Sequence, residues 1–454
     1  LIHATHNFPK GFLWGTATSS HQVEGDNQAN DWWAWEAEQG TISDGQRSGK
    51  ACEWWNGRWE EDLDRAAEAG QNAHRLSVEW SRIEREPGRW DPAALDRYEQ
   101  IIQGALDRSL VPIVSLHHFT NPVWFLDQGG WTQPGSVEHF ERFTAKVVER
   151  LKDKVGLWVT INEPNVYAYN AYSSGLFPPG EEDLQKTILV MANMTRAHAA
   201  AYRTIHTIQP EAMVGMAHHY RGMRPAHPTN PLDRLVAGLR SRAFNDSIPG
   251  ALRDGVFRVL WHRQRIPEAK GTQDFFGLNY YTEEEVAFSL NHSGELFGEG
   301  RFPAQADLSP TGFIANEPQG FWRALNWARG FRLPIYVTEN GAEDPYGGFR
   351  PRYLAGHIRQ LWRATNLSWQ VCGYFHWTLV DNFEWERGWN QRWGLWALDP
   401  ETQERTKRPG ADFYAEICHE NGLSTEMVAR YAPEALSQLF PVDGPGQLAA
   451  GASF

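Results

Sequence analysis

The stretch Leu157-Trp158-Val159-Thr160-Ile161-Asn162-Glu163-Pro164 decides how the chain is read. An apolar, β-branched run closed by a proline reads as a short buried strand, so Asn162 and Glu163 emerge at its carboxyl end. A carboxylate there serves either a local hydrogen bond or acid chemistry. The stretch alone leaves both open. A second run of the same design, Pro334-Ile335-Tyr336-Val337-Thr338-Glu339-Asn340-Gly341, ends in another carboxylate and a turn. Two Glu at the ends of two buried strands form a candidate pair. Such a pair suits glycoside hydrolysis, in which one carboxyl donates a proton while the other stays ionised.

Working outward, six further runs share the pattern: Gly11–Thr18, Asn72–Trp80, Val111–Phe119, Ala212–Ala217, Phe275–Tyr281 and Val371–Trp377. Helical patterns separate them, at Glu60–Ala69, Ala93–Arg108, Val137–Leu151, Leu184–Gln209, Gly320–Gly330 and Tyr353–Thr365, with several helical pieces between Pro225 and His262. Eight strands alternating with helices predict an α/β fold, a single (β/α)8 TIM barrel with long βα loops, spanning residues 1–454 with 423–454 as a carboxyl-terminal extension. In that fold the polar groups at strand ends converge on one mouth. This gathers Gln22, His118, Asn162, Glu163, Asn279, Tyr281, Glu339 and Trp377.

Arg75 lies inside the second strand, where an unpaired charge is costly, and is expected to face a carboxylate. His117 and His118 are neighbours on a strand and point to opposite faces; one is expected inward and one outward, which disfavours a metal pair. Asp26–Asp62, with Trp32, Trp33, Trp35, Trp54 and Trp55 among its residues, reads as a surface loop walling the site, and Glu283–Gln319, rich in Gly, Pro and charge, as an insertion loop. The Gly/Ala-rich tail Pro441–Phe454 fits either disorder or a packed extension.

Composition narrows the partners. The net charge of −13 argues against a nucleic-acid footprint or an anionic membrane surface. No apolar run is long enough to span a bilayer, and Leu1–His6 lacks a basic stretch leading into an apolar one. The three cysteines are odd in number and far apart, which fits reduced thiols, so a cytoplasmic location is expected. The count of 22 Trp supports a carbohydrate ligand, because indole faces stack on sugar rings.

Over roughly Phe8–Gly422 the chain resembles the family 1 glycoside hydrolases, the β-glucosidase and β-glycosidase family. The matching segments are Phe8-Pro9-Lys10-Gly11-Phe12-Leu13-Trp14-Gly15, Thr160–Pro164, Val337–Gly341 and Leu379-Val380-Asp381-Asn382-Phe383-Glu384-Trp385. The resemblance implies Glu339 as nucleophile and Glu163 as general acid/base of a retaining double displacement. Retention needs carboxylates about 5–5.5 Å apart. It also implies Arg75 and Tyr281 as supports of Glu339; Gln22, His118, Asn162, Glu384 and Trp385 as sugar-hydroxyl contacts; and Trp377 as a stacking floor. Asn279 and Tyr281 join them as substrate-side residues. A Ser replaces Glu384 in the 6-phospho-glycosidase branch and the acid Glu is missing in the myrosinase branch, so unphosphorylated β-glycosides are expected here.

Two positions depart from the family pattern. Phe119 stands where a Trp commonly follows the glycone His, and no Trp occurs near Phe313-Ile314 on the aglycone side; Trp124, Trp322 and Trp32-Trp33 are candidate substitutes. The expected activity is an exo-β-glycosidase releasing β-D-glucose, with β-galactoside and β-fucoside side activity, acting on small β-glycosides or short oligosaccharides as monomer or homo-oligomer. No metal or cofactor is expected. A transglycosylase and a sugar-binding protein on a retired barrel are the rivals, and the second has no use for both Glu163 and Glu339.

Overall fold

A computed structural model describes residues 3–441. Eight parallel strands close into a barrel: β1 Leu13–Ala17, β2 Ala73–Ser77, β3 Val111–His117, β4 Leu157–Asn162, β5 Met213–His219, β6 Phe275–Asn279, β7 Ile335–Asn340 and β8 Val371–Trp377. Each pairs with its successor, and β8 returns to β1 through Gly373↔Leu13 to Trp377↔Ala17. The chain is thus the (β/α)8 barrel that the alternating pattern implies.

The helices form where the sequence supplies caps and an apolar stripe. Asp91 accepts hydrogen bonds from the backbone N–H of Ala93 and Ala94 to start Pro92–Asp107, and Asp183 does the same for Gln185 and Lys186 in Leu184–Ile208. Ser136–Leu151 buries Phe140, Phe143, Val147, Val148 and Leu151, a helical spacing that lays one face on the strands. Inside the barrel, large rings oppose glycines. A β-carbon on Gly15 would stand 2.7 Å from the Phe375 ring, and one on Gly215 would stand 2.6 Å from the Phe275 ring. Larger residues at either position would force the barrel apart.

Three segments differ from their expected loop or helical form. Within Pro225–His262 the chain forms helices at Pro231–Ser241 and Ser247–Asp254, then an antiparallel hairpin, Val256–Val259 with His262–Arg265. Glu283–Gln319 is more than an insertion loop: Glu283–Phe288 and Gly298–Arg301 join Gly222–Pro225 in a three-stranded sheet. Ion pairs hold this polar sheet, with Arg224 on Glu283 and Glu285 at 3.2 and 3.1 Å and Arg221 on Glu284 at 2.8 Å. The Asp26–Asp62 segment is partly core, since Trp32 and Trp54 are buried.

After the barrel, Gly422–Ser424 pairs with Thr5–Asn7, and the helix Thr425–Tyr431 comes next. The expectation for the tail beyond Pro441 falls outside the described residues. Among the described residues no helix is long and apolar enough to cross a membrane.

Candidate active site

Strict alternation on a strand cannot aim two successive side chains inward. The two carboxylate strands escape this with bulges. Against β5, β4 sets three steps, Val159 to Asn162, opposite two, Gly215 to Ala217. Against β6, β7 sets Val337 to Glu339 opposite Leu278 to Asn279. The extra residue re-aims the side chains beyond it. Asn162 therefore turns inward, and Thr338 and Glu339 both face the barrel mouth, where Thr338 Oγ1 donates to Asn279 Oδ1 at 2.6 Å. Glu163 itself sits in the left-handed region at φ 44° and ψ 56°, immediately before the helix Pro164–Tyr172. That conformation costs a non-glycine residue on the order of 1–3 kcal/mol and concentrates at functional sites.

The two carboxylates are held differently. Arg75 Nη1 donates to Glu339 Oε1 at 2.5 Å, and the Tyr281 hydroxyl donates to Glu339 Oε2 at 2.6 Å. Arg75 is fully buried, and its other donors reach Asn162 Oδ1 at 2.7 Å and Ser115 Oγ at 3.1 Å. The charge expected to need a carboxylate partner has one. On Glu163, Oε1 accepts from Asn279 Nδ2 and lies against His219 Nδ1, each at 2.8 Å, while Oε2 has no hydrogen-bond partner among the described residues. Asn162 and Asn279 link the two ends, Asn279 Nδ2 also donating to Asn162 Oδ1 at 3.1 Å.

Burial raises Glu339 above the ordinary carboxylate range, the Arg75 guanidinium pulls it back, and the Glu163 charge raises it again. Burial likewise holds the Tyr281 phenol well above its usual range, so it stays a donor to Glu339. Burial drives His118 well below the usual imidazole range and keeps its ring neutral.

The remaining predicted residues gather around this pair. His118 turns to the mouth, where its Nε2 accepts from Asn162 Nδ2 at 3.2 Å and its ring stacks near Trp377 and Trp385, with centroids 5.8 and 6.0 Å away. His117 turns outward and pairs with Asn121 at 3.0 Å. Gln22 is enclosed: its Nε2 donates to Phe383 O at 2.8 Å and to Glu384 Oε2 at 3.3 Å, which ties the segment after β8 to the segment after β1. Asn162 and Asn279 are also fully enclosed and spend their amides on protein partners. Glu384 is half-buried, and burial, with the charges of Glu386 and Glu339, raises it to about 8.

The proposed aromatic substitutes are each packed against other parts of the protein. Trp322 stacks on Trp369 at 4.5 Å on the barrel's outer side, and Trp124 donates to Glu84 O and packs on Trp80. Trp32 is fully buried against Trp385, and Trp33 lies under the Arg47 guanidinium. Instead Trp393 stands edge-on to Tyr281 at 5.4 Å and to Phe313 at 6.3 Å, with Arg387 4.0 Å over the Phe313 ring. Neither Trp393 nor His219 stands out in the sequence. The signal for Trp393 is its place in the loop that also carries Glu384; for His219 it is the pair His218-His219 just after an apolar run.

The fold and this paired-carboxylate mouth define a class, the O-glycosyl hydrolases. The family profile described as "Glycosyl hydrolase family 1" matches residues 4–423, and the chain belongs to that family. It is 30% identical to "Beta-glucosidase A" of Thermotoga maritima over 447 residues, covering 92% of this chain and 98% of that protein. It is 30% identical over 512 residues to "Beta-galactosidase" of Pyrococcus woesei, covering 92% and 98%. The solved "beta-glycosidase from Pyrococcus horikoshii" superposes with a TM-score of 0.87 at 35% identity, covering 94% of this chain and 98% of that one.

Proposed function

We propose that the protein is a retaining exo-β-glycosidase that removes terminal β-D-glucosyl residues, and β-galactosyl and β-fucosyl residues as well, from small glycosides and short oligosaccharides. The observation that carries the reading is the unequal treatment of the two carboxylates: both Glu339 oxygens are anchored by donors, and one Glu163 oxygen has no partner among the described residues. An anion gripped by a guanidinium and a phenol is suited to be the nucleophile. A carboxyl with one open oxygen is suited to pass a proton.

In the first step a Glu339 oxygen bonds to the anomeric carbon as the glycosidic C–O bond breaks, and the departing oxygen takes the proton of Glu163. In the second, Glu163, now ionised, removes a proton from water as that water's oxygen attacks the anomeric carbon and releases Glu339. Trp377 is the floor for the sugar ring, and His118, Asn162, Glu384, Gln22 and Trp385 contact its hydroxyls, with some of their protein hydrogen bonds exchanged for the ligand's. Asn279 and Tyr281 act chiefly through the carboxylates they touch. The Glu384 carboxyl, with Glu386 beside it, offers a phosphate no cation and disfavours one there. The related "Beta-glucosidase A" and "Beta-galactosidase" support a β-configured hexose of either 4-epimer.

The described chain is taken as one catalytic unit, and the unpaired Cys52, Cys372 and Cys418 support a cytoplasmic setting. The test is hydrolysis of p-nitrophenyl β-D-glucoside, galactoside, fucoside and 6-phospho-glucoside. Turnover of the first three and not the fourth is expected. Turnover of the phosphorylated sugar alone would overturn the assignment of Glu384.

A further inference from the structure

His219 ends β5 beside Asn279, its register partner on β6. Its main chain is fixed to the segment that carries Glu163: Asn165 Nδ2, in the first turn after Glu163, donates to His219 O at 3.0 Å and to Phe244 O at 3.1 Å. The Glu163 N–H donates to Ala217 O at 2.8 Å, two residues before His219. The imidazole stacks on Tyr281, with centroids 5.8 Å apart and planes inclined by 26°, and meets the Phe244 ring edge-on at 5.9 Å. Ring and backbone are therefore constrained together, and Nδ1 is delivered to Glu163 Oε1 at 2.8 Å.

We propose that His219 is a positioning residue for the acid/base: with Asn279 it fixes Glu163 Oε1 as an acceptor, so that the transferable proton is held on Oε2, the oxygen open to the glycosidic bond. The inference rests on Glu163 being the acid/base. Asn279 Nδ2 can only donate, and with His219 Nδ1 also on Oε1, a proton there would take up one of the two lone pairs that these partners share, whereas Oε2 has both free. With Oε1 the acceptor, Nδ1 of His219 donates to it as well. Once Glu163 has given up its proton, both donors remain and stabilise the anion that must activate water in the second step. The other ionisable groups around this pair are Tyr281 beside β6, Glu339 on β7 and Arg75 on β2, the last reaching Glu163 through Asn162 and Asn279, with Arg221 two residues further along the chain. His218 points away, to Gln273 at 3.0 Å.

The experiment measures kcat/KM against pH for the full chain and its His219→Phe, His219→Asn and Glu163→Ala variants, on 2,4-dinitrophenyl and on p-methoxyphenyl β-D-glucoside. Loss of a donor to a carboxylate makes it hold its proton to higher pH. His219→Phe is expected to shift the alkaline limb upward by about one pH unit, the scale of one hydrogen bond to a charged group. It is expected to lose about tenfold on the poor leaving group, which needs a well-placed proton, and little on the dinitrophenolate. His219→Asn, which keeps a donor, is expected to recover most of both. Equal losses on the two substrates with an unmoved alkaline limb would reduce His219 to a packing role and overturn the proposal. If Glu163→Ala shows no dependence on the leaving group, the reading of Glu163 itself fails; if Glu163→Ala shows it and His219→Phe behaves as wild type, only the role of His219 fails.

Discussion

Glu163 and Glu339 are the same residue type, each at the end of a bulged barrel strand, yet their surroundings differ. Glu339 is gripped at both oxygens by a buried guanidinium and a buried phenol. Glu163 sits on a left-handed backbone turn, with one oxygen held by an amide and an imidazole and the other open. The contrast teaches that environment suits each to a different part in the proposed reaction: full anchoring fixes both oxygens in place, and half anchoring leaves one oxygen facing the site.

The strongest way to break the contrast is to remove its ends. Glu339→Ala is expected to lower kcat on p-nitrophenyl glucoside on the order of 10⁴-fold or more, with azide restoring turnover as an α-glycosyl azide. Glu163→Ala is expected to lose roughly 10²–10⁴-fold on poor leaving groups and far less on dinitrophenyl glucoside, with azide giving the β-azide. The two opposite anomers, read by proton NMR, would sharpen the assignment; the same anomer from both would erase it.

Smaller changes probe the anchoring. Arg75→Met leaves the buried Glu339 unpaired and is expected to cost roughly 3–5 kcal/mol of stability, measured by urea unfolding near neutral pH. Tyr281→Phe removes one hydrogen bond to a charged oxygen and is expected to lower kcat/KM by about ten- to a hundredfold. The smallest effect is expected at Glu384, raised to about 8 and therefore neutral below that pH and charged above it. Glu384→Gln imitates the neutral form, so its KM is expected to match wild type near pH 6. Above pH 8 the wild-type KM should drift while that of Glu384→Gln stays flat.

Much of this was legible in the chain because the barrel strands are apolar, β-branched and bounded by turn residues. Val371–Trp377 is a strand over the whole predicted run, and Leu157–Ile161 is extended by one residue. The illegible parts have identifiable causes. The sheet of Gly222–Pro225, Glu283–Phe288 and Gly298–Arg301 is polar and is held by ion pairs to residues about 60 positions away, which no local periodicity records. The hairpin Val256–Arg265 alternates apolar and charged residues too briefly to stand out from the helices before it. The bulges on β4 and β7 left no composition signature, although they decide which side chains enter the site. His219 is hidden because the apolar run ends at Ala217, two residues before the strand does.

The most direct test of the central assignment is to incubate the protein with 2,4-dinitrophenyl 2-deoxy-2-fluoro-β-D-glucoside, digest it and locate the added mass. The account predicts time-dependent inactivation, with one fluoroglucosyl group on the peptide that contains Glu339. A label on Glu163, or continued activity with no label at all, would contradict it.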